Sequence, residues 1–391
     1  VGCLTNQRAL YRINCMPQIT CHTTHTSIGC TRFCTSSPEE AFLKKQLRKI
    51  TLQSSIFAPL MPGFSRRGIM LLYSAALLIG FVVLFKSADF FVVGSVATAR
   101  NLNVSALLIG LTIVALGTSA PEIFVAMASS LQGEPELAVG NAIGSNIANI
   151  GMVLGITALL IPLEFRKDVV RNDLPVLVFV TLCAGAALID HKLSWFDGVL
   201  LLFGLGIFLF RLVREHRQTT DAEIIEEIPE LEEILPMSTR KAVLVLGLSL
   251  CFLVISAEVL VWAVIGIATQ IGISELIIGL TVVAIGTSLP ELVVSVTSAL
   301  KQQTDLAIGN IIGSNIFNIL AVLSIPSLLA PAELSPVLLW RDYSLMFVFT
   351  GLLVLFSVLS RASPILRHWQ GGLLLGAWVI YLVSLYTMEL T

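Results

Sequence analysis

Two acidic residues, Glu122 and Glu291, stand inside apolar segments that are long enough to cross a membrane. A carboxylate near the centre of a bilayer costs several kcal/mol unless a partner or water compensates its charge. Neither segment contains a Lys or Arg within its apolar body. The natural partner is therefore a cation, and two carboxylates balance one Ca²⁺ or two Na⁺.

Oxygen-bearing groups surround both glutamates. Each follows a Gly-Thr-Ser-x-Pro run, and proline opens a helix because it lacks an N–H and clashes with the preceding turn. The opened turns, at 115–117 and 284–286, predict free carbonyls beside the hydroxyls. Ca²⁺ takes about six to eight oxygen ligands in a flexible geometry. The predicted hydroxyl ligands are Thr118, Ser119, Thr287 and Ser288.

The next apolar segment of each copy adds a polar helix face. Asn141, Ser145 and Asn149 are spaced at i, i+4 and i+8, which places them on one side of a helix. The second copy repeats this spacing, and glycines beside both sets predict close helix packing. The second set is Asn310, Ser314 and Asn318, and the glycines are Gly140, Gly144, Gly309 and Gly313.

These motifs belong to an internal duplication. Residues 110–150 and 279–319 align without a gap at an offset of 169, with 24 of 41 positions identical. Asp89 aligns with Glu258 at the same offset, and we expect both to serve structure or ion access rather than coordination. Lys86 lies three residues before Asp89, where it can neutralise that carboxylate.

Ten apolar segments are the elements that must position these groups. We predict an all-α membrane protein with helices over 70–99, 104–131, 137–162, 173–190, 194–213, 240–268, 274–300, 306–329, 343–360 and 364–387. Because five spans separate equivalent positions, the second copy must cross the membrane in the opposite sense. That is the inverted repeat of many secondary transporters, whose substrate site lies near the midplane.

Charge predicts the orientation and the limits of the units. One side of the membrane carries 12 basic residues and the other side four. Because cytoplasmic loops carry the excess of Lys and Arg, the side with 12 is predicted to be cytoplasmic and the C-terminus to lie outside. If the whole of residues 1–69 is included, the number of basic residues on the poorer side rises to 11 and the bias disappears. We therefore expect this segment to be translated sequence upstream of the true start, rather than a disordered tail or a targeting segment. The predicted units are an N-terminal segment at 1–69, five-helix repeats at 70–213 and 240–391, and an acidic cytoplasmic loop at 214–239.

Composition excludes several classes of protein. Apolar residues make up 55% and charged residues 13% of the 391 positions, whereas a soluble domain carries about 25% charged residues. A net charge of -2 argues against a nucleic-acid partner. The chain lacks a GxxxxGK[ST] phosphate loop, which argues against nucleotide binding and an ATP-driven pump.

At its GTSxPE and GNxxGSNxxN motifs, each present twice, the chain resembles the Ca²⁺/cation antiporter superfamily in its sodium/calcium exchanger branch, most closely the bacterial inner-membrane calcium/sodium antiporters. The resemblance spans about residues 70–387. It implies a ten-helix fold of two inverted halves in the inner membrane. The ion-binding residues that it implies are Glu122, Glu291, Thr118, Ser119, Ser145, Asn149, Thr287, Ser288, Ser314 and Asn318, with the backbone carbonyls of Ala115 and Ala284.

The function predicted from these features is secondary antiport of Ca²⁺ against Na⁺ by alternating access. We expect no cofactor, since both ions bind as substrates, and a monomeric functional unit. Many potassium-dependent exchangers carry Asp at the position of Asn318, so its amide argues against potassium co-transport. The alternatives are Ca²⁺/H⁺ exchange by the same glutamates, a channel, and an intramembrane hydrolase with paired carboxylates, which would leave the duplicated Asn and Ser faces unexplained.

Overall fold

The computed structural model describes residues 22–24, 27–29, 66–216, 237–271, 284–359 and 365–389. Within them the chain is almost entirely helical. The helices are α1 (Arg66–Leu102), α2 (Ala106–Thr118), α3 (Ala120–Leu131), α4 (Pro135–Leu160), α5 (Val169–Leu188), α6 (Trp195–His216), α7 (Thr239–Gln270), α8 (Ala284–Thr287), α9 (Leu289–Leu300), α10 (Thr304–Leu329), α11 (Leu338–Val358) and α12 (His368–Glu389).

Eight of these helices are long and apolar enough to cross a membrane: α1, α4, α5, α6, α7, α10, α11 and α12. The pair α2 and α3 forms a ninth candidate span, bent by 42° at a single break. The chain is thus a multi-pass membrane protein. The remaining predicted helix, 274–300, lies partly outside the described residues. Most of the 1–69 segment and residues 217–236 of the acidic loop lie outside them as well.

Helix ends differ from the predicted ones by a few residues for a physical reason. Helix α5 begins at Val169 and α11 at Leu338, four or five residues before the predicted starts. Both begin with a wide π turn that contains charged residues, Arg171 with Asp173 and Arg341 with Asp342. An apolar pattern therefore misses these first turns.

Equivalent first helices of the two repeats, α1 and α7, pack side by side in opposite directions. A Cβ at Gly80 would meet Leu260, whereas a Cβ at Gly94 would meet the backbone of Leu246. As α1 advances, its contacts on α7 move backwards along the chain. The pair is therefore antiparallel, which is the relation that an inverted repeat requires.

Two-residue strands join the repeats at both ends of the helices. Strand β3 (Leu163–Glu164) pairs with β6 (Ile365–Leu366), and β4 (Lys192–Leu193) pairs with β5 (Ala332–Glu333), both antiparallel. Because β3 and β5 are related by the offset of 169, each link joins one repeat to the other. A separate hairpin is formed by β1 (His22–Thr24) and β2 (Ser27–Gly29).

Acidic residues at the starts of α4 and α10 strengthen these cross-links. Glu136 accepts the backbone N–H of Ser335 at 2.6 Å. Its equivalent in the second repeat, Asp305, lies 3.8 Å from the guanidinium of Arg166. Both contacts tie the start of a central helix to a loop of the other repeat, so the centre of the molecule is fixed at both ends.

Candidate cation site

Both glutamates lie just after a break in a helix. Helix α2 ends at Thr118, Ser119 leaves helical geometry with ψ near 7°, and α3 resumes with Pro121 in its first turn. The second repeat does the same, with Ser288 between α8 and α9 and Pro290 in the first turn of α9. The predicted interruptions are therefore present, and each places a glutamate at the start of a new helix, where backbone N–H groups favour negative charge.

The two carboxylates are completely buried, and each retains an oxygen without a partner among the described residues. Ser145 donates to Oε1 of Glu122 at 3.3 Å, and Ser119 donates to Oε1 of Glu291 at 3.4 Å. The Oε2 atoms of both glutamates are unpartnered within that part of the chain. Ser119 lies three residues before Glu122 in the chain, so its contact with Glu291 brings the two carboxylates into the same region. This arrangement suits a bound cation.

Helices α4 and α10 bring the predicted asparagines to the same region. Asn149 and Asn318 are buried, and neither amide atom of either residue has a hydrogen-bond partner in the described segments. Each asparagine starts a π turn, Asn149–Leu154 and Asn318–Val322. Such wide turns often occur at functional sites because they change the direction of side chains and carbonyls. Unpaired buried amides of this kind can supply oxygen to an ion.

The Thr118 hydroxyl, the Ser314 hydroxyl and the Ala115 carbonyl form a cluster between the repeats. Oγ of Ser314 lies 3.4 Å from Oγ1 of Thr118 and 3.5 Å from the carbonyl oxygen of Ala115. The helix break does not free this carbonyl, because it accepts the N–H of Ser119 at 3.0 Å. The N–H that proline removes is that of position 121, which in a regular helix would bond the carbonyl of Gly117. Gly117 lies two residues after Ala115. Ala115 can therefore offer an ion only its second lone pair.

The remaining predicted ligands belong to the second break. Ser288 is buried, and its hydroxyl has no hydrogen-bond partner within the described chain. Thr287 precedes it and is half-buried. Ala284 is the first residue of α8, immediately after the undescribed residues 272–283.

Close helix contact holds α10 against α2, as the glycines predict for the second repeat. A Cβ at Gly309 would lie 2.7 Å from the carbonyl oxygen of Leu107, and one at Gly313 would lie 2.8 Å from that of Leu111. Backbone fills the space that a side chain would need. The segment equivalent to α2 in the second repeat falls at 275–287, so the matching role of Gly140 and Gly144 remains a prediction.

The acidic residues of the long helices lie outside the buried cluster. Asp89 is partly exposed and lies 4.0 Å from the ammonium of Lys86 and 3.2 Å from that of Lys301. The first contact is the predicted local pair, and the second joins α1 to the end of α9. Glu258 is also exposed. The structural or access role expected for both positions stays a prediction.

Two features of the site have no counterpart in the predicted set. The π turns depend on backbone hydrogen bonding, and no residue pattern in the apolar run signals them. Ser295 hydrogen-bonds the amide of Asn310 at 3.0 Å and is completely buried. The internal alignment contained a signal for it, since Ser295 replaces the Ala126 of the first repeat.

Comparison with known protein families matches the two repeats of the chain. The sequence profile described as "Sodium/calcium exchanger protein" matches residues 72–214 and 241–387, which together make up most of the chain. The two matched stretches correspond to the two repeats. The undescribed residues 217–236 fall between them.

Individual relatives are similar over nearly their whole length. The inner membrane protein YrbG of Escherichia coli (strain K12) is 40% identical over 327 residues, covering 82% of this chain and 98% of YrbG. The sodium/calcium exchanger MaX1 of Methanosarcina acetivorans is 32% identical, covering 79% and 97%. A solved structure of the sodium-calcium exchanger NCX_Mj, soaked with Na⁺ and Sr²⁺, matches with a TM-score of 0.70 and 34% identity over 81% of this chain and 99% of that chain.

Proposed function

The chain belongs to the sodium/calcium exchanger family, and we propose that it is a secondary antiporter that exchanges Ca²⁺ for Na⁺. The observation that carries this proposal is the pair of buried carboxylates, Glu122 and Glu291, each with one oxygen unpartnered among the described residues. Two uncompensated carboxylates are costly in a membrane interior, so the site favours a bound cation.

Competition for the two carboxylates explains exchange rather than uniport. One Ca²⁺ neutralises both groups, and so do two Na⁺, so the binding of one ion species excludes the other. The proposed ligands are the whole predicted set, in which Glu122 and Glu291 provide the charge. Because only a loaded, neutral site crosses between the two access states at low cost, inward and outward fluxes are coupled.

Alternating access follows from the inverted repeat that we propose, with ten spans in two five-helix halves. The antiparallel packing of α1 against α7 supports this arrangement, as do the crosswise strand pairs at both ends of the helices. Two halves of opposite orientation allow one site to open to either side by the same motion in reverse. The basic residues favour a cytoplasmic 214–239 loop and an outside C-terminus.

The similarity to MaX1, whose name states sodium/calcium exchange, and to NCX_Mj supports the same ion pair for this chain. The similarity to YrbG supports location in the inner membrane. We further propose that the chain acts as a monomer, since one chain carries both repeats and with them both glutamates.

The decisive test is ⁴⁵Ca uptake into inverted vesicles under imposed Na⁺, H⁺ or K⁺ gradients. We expect uptake when Na⁺ is higher inside, and none from an H⁺ gradient alone. Uptake driven by H⁺ with no response to Na⁺ would replace the proposal with Ca²⁺/H⁺ exchange. Single-channel conductance would show instead that the protein is a channel.

A further inference from the structure

A chain of three buried side chains connects three helices beside the two carboxylates. Nδ2 of Asn310 lies 3.0 Å from Oγ of Ser295, and Oδ1 of Asn310 accepts a hydrogen bond from Oγ1 of Thr118 at 3.0 Å. The relative exposure of Ser295, Asn310 and Thr118 is 0% in each case. The contacts run from α9 through α10 to α2, and thus from the second repeat to the first.

The amide of Asn310 can face only one way. Its Nδ2 donates to Ser295 and also approaches the backbone carbonyl of Glu291 at 3.4 Å. Two acceptors on that side fix the nitrogen there, so the amide oxygen points to Thr118. A buried amide oxygen needs a donor, and the Thr118 hydroxyl is close enough to provide it.

This contact determines what the Thr118 hydroxyl can offer an ion. A hydroxyl has one proton and two lone pairs. Its contacts with the Ala115 carbonyl and with Ser314 are each 3.4 Å, longer than the 3.0 Å contact with Asn310. Glu291 also lies within reach of the hydroxyl, but a cation bound to that carboxylate would leave the proton to Asn310. Thr118 then presents only lone pairs to the cation.

We propose that Ser295 and Asn310 are positioning residues that hold Thr118 as an acceptor-only ligand and thereby set the cation affinity of the site. The inference deepens the proposed exchange function and rests on it. It assigns a task to Asn310 other than direct coordination, because both ends of its amide are engaged by protein groups.

The first repeat lacks this device. Ala126 stands where the second repeat has Ser295, and Asn141 stands in place of Asn310. Nδ2 of Asn141 has no partner within the described segments. The two halves of the site are therefore unequal, and only the half around Thr118 has its hydroxyl orientation fixed through a serine.

The test measures Na⁺-driven ⁴⁵Ca uptake in proteoliposomes together with the Ca²⁺-dependent rise in Tm of the purified protein. Ser295→Ala is expected to raise KM for Ca²⁺ about three- to tenfold, the range for one lost hydrogen bond, while Vmax changes by less than about twofold. Ser295→Cys, which keeps the volume but accepts weakly, should do the same, and Ser295→Thr should restore the wild-type KM. Ala126→Ser, the matched change in the first repeat, should not raise KM.

A double-mutant cycle tests whether the effect passes through Thr118. In a Thr118→Val background, Ser295→Ala should have no further effect on KM. An unchanged KM in Ser295→Ala, an equal rise in Ala126→Ser, or a full effect in the Thr118→Val background would overturn the inference. If the wild-type protein shows no Na⁺-driven uptake, the exchange function fails instead, and the Ca²⁺-dependent Tm of the same variants still tests the positioning role.

Discussion

The hydroxyl of Ser119, in the first repeat, donates a hydrogen bond to Oε1 of Glu291, in the second repeat, at 3.4 Å. The other carboxylate is held differently, because Glu122 receives its hydrogen bond from Ser145 of its own repeat. The hydroxyl of Ser288, the equivalent of Ser119, has no hydrogen-bond partner among the described residues. A duplicated sequence has therefore produced a candidate cation site with unequal halves.

Replacement of either carboxylate should abolish exchange. Glu122→Gln and Glu291→Gln each keep the side-chain size but remove one negative charge from a completely buried site. Breaking a buried charge pair costs about 3–5 kcal/mol, so Ca²⁺ affinity should fall by about 100-fold or more. The measurement is ⁴⁵Ca uptake, with membrane insertion checked by protein yield. Transport near the wild-type rate in either variant would remove the carboxylates from the ion site.

Close packing of α10 on α2 should be intolerant of a single methyl group. In Gly313→Ala the new Cβ would meet the carbonyl oxygen of Leu111 at 2.8 Å, and backbone cannot move aside as a flexible side chain can. We expect a loss of about 1–3 kcal/mol in stability and a strong loss of transport, because the contact between Ser314 and Thr118 depends on this approach.

Gly206→Ala is the matched control for that substitution. Gly206 is exposed on α6, and no atom of the described residues lies within 4 Å of the place that its new Cβ would occupy. Its Tm and transport should remain close to the wild-type values. A Gly313→Ala protein that behaves like Gly206→Ala would show that the close approach is not needed.

Asn318→Asp should alter ion coupling more than folding. Asn318 is buried, and both its amide atoms are unpartnered in the described part of the chain. An ionised Asp would add a third negative charge, so the variant should bind a further monovalent cation and become dependent on K⁺. A protonated Asp would instead make transport steeply pH-dependent, since neighbouring carboxylates disfavour its ionisation. Transport that is indifferent to both K⁺ and pH would place this residue outside the ion site.

The crosswise strand pairs provide a test of membrane topology. Glu333 in β5 and Glu164 in β3 are exposed and belong to opposite pairs. With the native cysteines replaced, Glu333→Cys should react with an impermeant thiol reagent from outside the cell, and Glu164→Cys only after the membrane is opened. The reverse labelling pattern would invert the proposed orientation, and labelling of both from one side would contradict the inverted repeat.

The sequence identifies residues of the candidate site but not the contacts among them. The offset of 169 points to Glu122 and Glu291, and the structure buries both beside hydroxyl and amide groups, while their role as ion ligands stays a prediction. The bond between Ser119 and Glu291 could not be predicted, because it depends on how one repeat docks against the other. The retained hydrogen bond on the Ala115 carbonyl was missed because it depends on where helix α2 ends, before Pro121.

Helix boundaries illustrate the same limit. The apolar pattern predicts the membrane helices, but it excludes the charged first turns of α5 and α11. Asp173 in the first of these turns is buried and lies 3.6 Å from Arg211 of α6, a contact that hydropathy cannot indicate. Charged residues near a helix end thus belong to the helix when a neighbouring helix provides the partner.

In the proposed exchange, Ca²⁺ and Na⁺ compete for one pair of buried carboxylates. Equilibrium binding of ⁴⁵Ca to the purified protein over a series of Na⁺ concentrations measures this competition. We expect complete displacement of Ca²⁺ by Na⁺, with a dependence steeper than one Na⁺ for each Ca²⁺, and no saturable Ca²⁺ binding in Glu122→Gln or Glu291→Gln. Ca²⁺ that stays bound at saturating Na⁺, or that binds both variants as it binds the wild-type protein, would show that the two ions do not share this pair.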